Sequence, residues 1–420
     1  MQEKALLVII DLRSEKNRWP FEDVAQELRE LTHTCGVEVV DTIECVRDKP
    51  TPNLFIGKGK AEELRSLSQE YEVDAVIFSH DLSGTQQRNL EKVLEKKIVD
   101  RTQMILDIFA LHAKTPEGKM QVELAQLQYL MPRLVGKGIL LSRLGGGIGT
   151  RGPGEQKLEI DRRRIRQRIE KLKTDLEAVV LHRHVIRKKR KAKSLSQVVL
   201  IGYTNAGKST LLNSLTDAGQ SVHDGLFTTL DPLSKNLKLP NGEHVVLSDT
   251  VGFLNNLPHH LIEAFKATLE ELKDAELLVH VLDASHSRVY DHYKAVQEVL
   301  RQLGAEDKPI ITVLNKIDLI DDEVWLSRLK NDFKGAIGIS AKYNRNTGLL
   351  LHEIQKNLVP RMEYHEIIIR YDTMELLDIF YKEGKILDSQ YLQKGIKIKV
   401  NIPKIIFDKL LQGKKIEIVN

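Results

Sequence analysis

The chain of 420 residues has only two cysteines, Cys35 and Cys45, and neither stands in a metal or redox motif. That scarcity points to a reducing compartment, with both thiols as ordinary half-buried side chains. No stretch approaches the ~20 apolar residues needed to span a bilayer, so stable membrane insertion is not expected. The start, MQEKALLVIIDLRSEK, carries acids and a six-residue apolar run. It fits a first strand better than a signal or transit peptide, and a cytoplasmic protein is expected. Hydrophobic content of 41% and charged content of 29% are ordinary for a globular protein, and the length allows two to four domains.

Net charge is also small, +4 overall, but it is unevenly placed. From Arg151 to Lys193 stand 16 Lys or Arg against 6 Asp or Glu, an excess of ten, so the rest of the chain is acidic. The asymmetry implies one anionic contact surface rather than a uniformly basic protein.

The most informative stretch is Val198 to Thr210, VVLIGYTNAGKST. Val198 to Ile201 suits a strand buried on both faces. Gly202 to Ser209 then fits G-x-x-x-x-G-K-[ST] at every fixed position. Glycines let the backbone of Gly202, Tyr203, Thr204, Asn205, Ala206 and Gly207 fold into a cradle of inward N–H groups at a helix N-terminus, where the dipole favours anions. Lys208 can reach the β- and γ-phosphates, and the Ser209 hydroxyl, followed by Thr210, can hold Mg²⁺. A chance match in a Gly-rich loop is set aside because strand, loop and helix stand in the required order.

Downstream spacing identifies the base. Asp249-Thr-Val-Gly252 follows the apolar run Val245–Leu247, which puts a carboxylate where it can hold Mg²⁺ and a glycine N–H where it can meet the γ-phosphate. Asn315-Lys316-Ile317-Asp318 follows Ile310–Leu314, and a carboxylate there can accept two hydrogen bonds from guanine, which adenine cannot offer. Ser340-Ala341-Lys342 fits a loop closing over the base. Between the P-loop and Asp249 lies Phe227-Thr228-Thr229-Leu230-Asp231-Pro232, the candidate switch loop, in which Thr229 binds Mg²⁺ only while the γ-phosphate is present. Catalysis is expected to fall on Lys208, Thr229 and Gly252, with Ser209, Thr229 and Asp249 around Mg²⁺. The residue after Gly252 is Phe253, which cannot orient the attacking water as a glutamine does. Slow hydrolysis by the isolated protein follows, with the site completed by another component or by K⁺ at Asn205, for which loop-shaping is an equal alternative.

The remaining chain reads as an α/β multidomain protein. Residues 1–115 form an open α/β domain, with strands over Ala5–Ile10, Val37–Ile43 and Ala75–Phe78 and helices over Phe21–Leu31, Ala61–Ser68 and Gln86–Leu94. Its loops Gly57–Lys60 and Ser83–Gln86 read as surface turns rather than phosphate sites. Residues 116–195 carry two helical seams, Met120, Leu124, Leu127, Met131, Leu134 and Ile165, Ile169, Leu172, Leu176, Val179. They predict an antiparallel hairpin arm. Its tip, Gly136–Gly154, has eight glycines in 19 residues with Lys137, Arg143 and Arg151 and no acid, and a disordered linker is the alternative there. Arg162, Arg163, Arg164, Arg166 and Arg168 lie on outer faces, and Arg187–Lys191 follows. Dense charge on a rigid support suits phosphate contact, and RNA is favoured over membrane because the apolar residues are committed to the seam. Residues 196–358 are the GTPase domain. Residues 360–420, in the order β-α-β-β-α-β, predict a small ferredoxin-like domain without chemistry of its own.

The stretches GGGIGTRGPGEQKLEIDRRRIRQRI, GYTNAGKSTLLN, FTTLDP and DTVGFLNNLPHHLIEAF, with TPNLFIGKGKAEEL and DRTQMILDIFALHAKTPEGKMQVELAQLQY, resemble the HflX GTPases, a translation-factor-related family close to Obg. The resemblance covers most of residues 1–360. It implies a cytosolic GTPase that binds the large ribosomal subunit and separates stalled or stressed ribosomes, with an RNA-contacting tip at Gly145–Gly154. It also leaves room for ATP binding by the N-terminal domain, which residues 1–100 do not independently support. A hydrophobic residue at Phe253 is in keeping with it. Two other readings stand beside it: a regulatory switch acting on a protein effector, and a GTPase module of an RNA-modification complex. The latter needs a catalytic Cys, His or cofactor site that the sequence does not show. Oligomeric state is not legible, and a monomer is favoured.

Overall fold

The structure, a computed structural model, describes residues 2–14, 19–134, 153–192, 195–216, 226–227, 233–255, 272–273, 275–358, 362–403, 406–407, 410–411 and 417–418. No helix among them is long and apolar enough to cross a membrane.

The N-terminal unit is a parallel sheet in the order β2-β1-β3-β4. Its strands are β1 (Lys4–Leu12), β2 (Glu38–Arg47), β3 (Ala75–Phe78) and β4 (Lys97–Asp100). Helices α1 (Phe21–Thr34), α2 (Lys58–Glu70), α3 (Gly84–Leu94) and α4 (Arg101–His112) connect and cover it. β1 lies between two partners and reads as an unbroken apolar run for that reason. The two loops read as surface turns are both helix starts. Gly57 precedes α2 with φ 78°, and Ser83 and Gln86 form a reciprocal capping box on α3. Strand β4 and helix α4 have no counterpart in the strand and helix pattern read from the sequence. α4 buries Thr102, Met104, Ile105, Leu106, Ile108 and Phe109, so little of it shows helical amphipathicity.

The arm begins with α5 (Pro116–Leu130), capped by Thr115, whose hydroxyl accepts the Gly118 N–H. A 3₁₀ turn, Met131–Leu134, continues it, and α6 (Pro153–Ala192) packs on both. At 1.5 Å per residue, α6 is about 60 Å long. The seams meet as expected: Leu124, Ile169, Leu172 and Leu176 are buried together, flanked by Met120, Leu127, Met131 and Ile165. Arg168, expected on an outer face, instead makes a two-pronged contact with Glu123 of α5, at 2.6 and 2.7 Å. The tip, including Arg143 and Arg151, and the side chains of Arg187–Lys191 lie outside the described residues.

The GTPase unit is a six-stranded sheet in the order β10-β9-β8-β5-β7-β6, parallel except for the β6–β7 pair. Its strands are β5 (Ser196–Gly202), β6 (Leu233–Lys238), β7 (His244–Asp249), β8 (Leu277–Asp283), β9 (Ile310–Asn315) and β10 (Ile337–Gly338). Helices α7 (Lys208–Thr216), α8 (Val289–Leu303), α9 (Glu323–Asp332) and α10 (Thr347–Asn357) accompany it. The N-terminal and GTPase units share one core. Leu28, Leu31, Ile105, Ile108 and Phe109 belong to the same buried cluster as Tyr203, Leu226, Phe227, Val251, Phe253 and Leu254.

The last unit has an antiparallel sheet in the order β12-β13-β11-β14, from β11 (Met362–Arg370), β12 (Lys385–Leu392), β13 (Gly395–Pro403) and β14 (Glu417–Ile418). Helix α11 (Glu375–Glu383) covers one face. Most of the helix expected over Pro403–Leu411 lies outside the described residues.

Candidate nucleotide-binding site

The site is assembled at the carboxyl ends of β5, β7, β8 and β9, where an open parallel sheet leaves backbone groups and loops facing solvent. β5 ends at Gly202, the loop turns through Asn205 at φ 59° and Gly207 at φ 92°, and α7 starts at Lys208. A Cβ on Gly207 would stand 2.3 Å from Asn315 Nδ2, so only glycine allows that approach. Asn315 does not face the base. Its amide donates to the Ala206 carbonyl at 2.8 Å and its oxygen accepts the Ala341 N–H at 3.0 Å. It therefore ties the P-loop to the Ser340–Lys342 loop. Ser340 shapes that loop through its own backbone pair with Arg345 and its hydroxyl, which accepts the Tyr343 N–H. Lys342 is exposed.

Lys208 is buried, and its ammonium donates to the carbonyls of Gly202 (3.1 Å) and Tyr203 (2.8 Å). Burial lowers its pKa to about 8, against the opposing pull of Asp249. A cation in that condition is short of negative charge, which phosphates supply. Ser209 Oγ donates to Asp249 Oδ2 at 2.6 Å, so two of the expected Mg²⁺ residues stand side by side. A hydroxyl and a buried carboxylate at a helix N-terminus are oxygen donors of the kind Mg²⁺ takes. The third, Thr229, lies outside the described residues with Thr228. Thr210 follows in the first turn of α7, half-buried.

Gly252 closes the far wall. A Cβ there would meet Thr204 Cγ2 at 2.7 Å and Lys208 Nζ at 3.1 Å. Phe253 donates its N–H to the Gly202 carbonyl and accepts the Thr204 N–H, a short ladder between the P-loop and the Gly252 loop. Its ring is buried in the core, turned into packing rather than toward the phosphates. At the base end, Lys316 adopts φ 62° and pairs with Asp283 at 2.8 Å. Asp318, in the 3₁₀ turn Ile317–Leu319, has no hydrogen bond or ion pair among the described residues. Its carboxylate is therefore available to guanine.

Two pocket residues read from the sequence point elsewhere. The Phe227 ring meets Phe109 edge-on at 4.6 Å, inside the interface with the N-terminal unit. The Tyr203 ring stacks on His292 at 3.9 Å, and its hydroxyl reaches Glu27 of α1. The sequence also concealed a lining. A cavity of about 420 Å³ is walled by Thr204, Asn205 and Lys316 on one side and by Asp23, Gln26, Glu27 and Glu30 of α1 on the other. Asp283 was legible in principle, as an acid at the carboxyl end of a buried strand.

Three family models match in succession. They are described as GTP-binding GTPase N-terminal (residues 22–110), GTP-binding GTPase Middle Region (112–190) and 50S ribosome-binding GTPase (197–316). A GTPase HflX from Lacrimispora saccharolytica is 44% identical over 410 residues, 98% of this chain and 96% of that one. One from Caldanaerobacter subterraneus is 46% identical over 401 residues, 96% and 91%. One from Escherichia coli K12 is 39% identical over 404 residues, 96% and 94%. Full-length identity at this level and a site built for guanine nucleotide agree, and the chain belongs to the HflX family of GTPases.

Proposed function

We propose that the chain is a GTP-driven factor that binds the large ribosomal subunit and separates stalled or stressed ribosomes into subunits. The observation that carries this is the arm. Arg163, Arg164 and Arg166 are exposed on α6 and Arg162 half-exposed, and none makes an ion pair among the described residues. The apolar side of the same helix is spent on α5. A stiff helix bearing unneutralised arginines suits phosphate contacts on folded RNA. The description of the matched GTPase model as ribosome-binding supports the same partner.

In this reading Arg143 and Arg151 join the contact at the tip. Lys208 and the P-loop amides bind and orient the phosphates. Gly252 presents its N–H to the γ-phosphate, and Thr229 completes the switch. Asp318 selects guanine. Mg²⁺, held by Ser209, Asp249 and Thr229, would neutralise charge developing on the phosphates. The protein acts as a monomer in the cytoplasm, and the C-terminal unit is a ferredoxin-like docking element. Phe253, which follows Gly252, buries its ring in the core and cannot orient water as a glutamine does, so hydrolysis alone is slow.

The test compares GTP turnover with and without large subunits, each in KCl and NaCl. Subunits should raise kcat by at least tenfold in both salts. A K⁺ effect lost in Asn205→Ala would add the cation. Fast turnover in NaCl without ribosomes would overturn the reading.

A further inference from the structure

A closed ring of hydrogen bonds joins helix α1 to the loop that follows Gly252. The Tyr203 hydroxyl donates to Glu27 Oε2 at 2.6 Å and accepts the Asn255 N–H at 2.9 Å. Glu27 Oε1 accepts from Arg101 at 2.7 and 3.0 Å. Arg101 Nη2 also donates to the Asn255 carbonyl at 2.8 Å. Both backbone groups of Asn255 are thus held, three residues beyond Gly252, by side chains of the P-loop and the N-terminal unit.

The protonation states fix the direction of each bond. Burial, and then the neighbouring Glu27 charge, push the Tyr203 hydroxyl well above its usual range, so it stays protonated and donates. Glu27 and Arg101 are nearly out of solvent, at 14% and 12% side-chain exposure. A buried ion pair is a poor way to gain stability, because desolvation cancels most of the attraction. Domain docking alone needs no grip on Asn255. The Phe109–Phe227 contact and the Arg288–Asp23 pair at 2.8 Å join the two units without touching that backbone. What the ring fixes, together with the Phe253 ladder, is both sides of Gly252.

We propose that Glu27 and Arg101 of the N-terminal unit, with Tyr203 of the P-loop, are positioning residues for GTP hydrolysis that hold Gly252 against the P-loop. This rests on the GTPase reading of the site. GDP has no γ-phosphate for the Gly252 N–H to meet, so its binding is expected to be independent of the ring. Losing one hydrogen bond of this kind is worth about tenfold in an equilibrium or a rate.

The experiment measures GDP affinity, affinity for a non-hydrolysable GTP analogue, kcat, KM and thermal midpoint in the full chain. Tyr203→Phe should leave GDP affinity within about twofold, while analogue affinity and kcat fall by about tenfold. Glu27→Ala should behave alike, and Glu27→Gln, whose single amide oxygen can still accept from Arg101 but whose NH2 cannot accept from the Tyr203 hydroxyl, should recover only part of kcat. Arg288→Ala, which removes the same docking pair at a residue outside the cavity beside Thr204 and Asn205, should lower the thermal midpoint without moving the ratio of analogue to GDP affinity. A Tyr203→Phe protein with unchanged ratio and kcat would overturn the proposal. So would an Arg288→Ala protein that shifts the ratio as strongly. Absence of GTP turnover by the wild-type chain would instead overturn the GTPase reading itself.

Discussion

Lys208 shows what a buried side chain gains from its substrate. Among the described residues its hydrogen-bond partners are the Gly202 and Tyr203 carbonyls, and burial lowers its pKa to about 8. Phosphates beside it favour the charged form and raise that value again, so binding above pH 8 takes up a proton. Nucleotide affinity should therefore be flat below pH 8 and fall as pH rises beyond it, approaching tenfold per unit. Titrating GDP binding from pH 7 to 9 checks this, and a flat profile would show that the ammonium is fully charged in the empty site. The residues that could be read in advance are those whose roles depend on short spacings: Gly202 to Ser209, Asp249 to Gly252, and Asn315 to Asp318. Glu27 and Tyr203 are 176 positions apart, and no local pattern joins them. Tyr203 occupies a variable place in the P-loop pattern, so only the fold reveals its hydroxyl.

Among the elements, the base of the arm is held by one carboxylate. Asp100, at the end of β4, is fully buried. It accepts bonds from Leu82 N, Gln103 N, the Tyr129 hydroxyl and Arg133 Nη2. Arg133 also lies over the Tyr129 ring at 3.4 Å and bonds to the Leu82 carbonyl and Gln87. The cluster locks the 3₁₀ turn of the arm onto the N-terminal sheet. Removing one member of a buried pair costs about 3–5 kcal/mol, so Asp100→Ala should lower stability by that order in urea unfolding. It should also expose Tyr129 and the arm base to hydrogen exchange. Normal stability would mean the arm is anchored elsewhere. The seams of α5 and α6 were readable because a two-helix contact leaves a clean 3.5-residue repeat. Helix α4 was not, because it is buried by the sheet, α1 and the GTPase unit at once. Strand β4 is four residues long and enters that helix directly, with no turn residues to mark it.

In the whole molecule, the N-terminal unit touches the P-loop, the loop after Gly252 and Leu226 ahead of the candidate switch residues. Glu27 holds the P-loop through Tyr203, and Arg101 holds the loop after Gly252. Thr34 accepts the Leu226 N–H beside the candidate switch loop. The arm is built on that same unit through Asp100 and α5. Packed and hydrogen-bonded groups thus run from the P-loop and the Gly252 loop to the N-terminal unit, and from that unit to the base of the arm, which is the contact path the proposed function needs. On the proposed function, nucleotide state governs engagement of the large subunit through this arm. The decisive measurement is cosedimentation with large subunits, in a non-hydrolysable GTP analogue against GDP. It is run with the wild-type chain and with Arg162, Arg163, Arg164 and Arg166 all replaced by Gln. Expected are retention with the analogue, retention weaker by about tenfold or more with GDP, and loss of retention with a flatter salt dependence in the quadruple variant, while its GTP binding survives. Equal retention in both nucleotides, or an unchanged salt slope in the variant, would rule out nucleotide-gated binding through the arm.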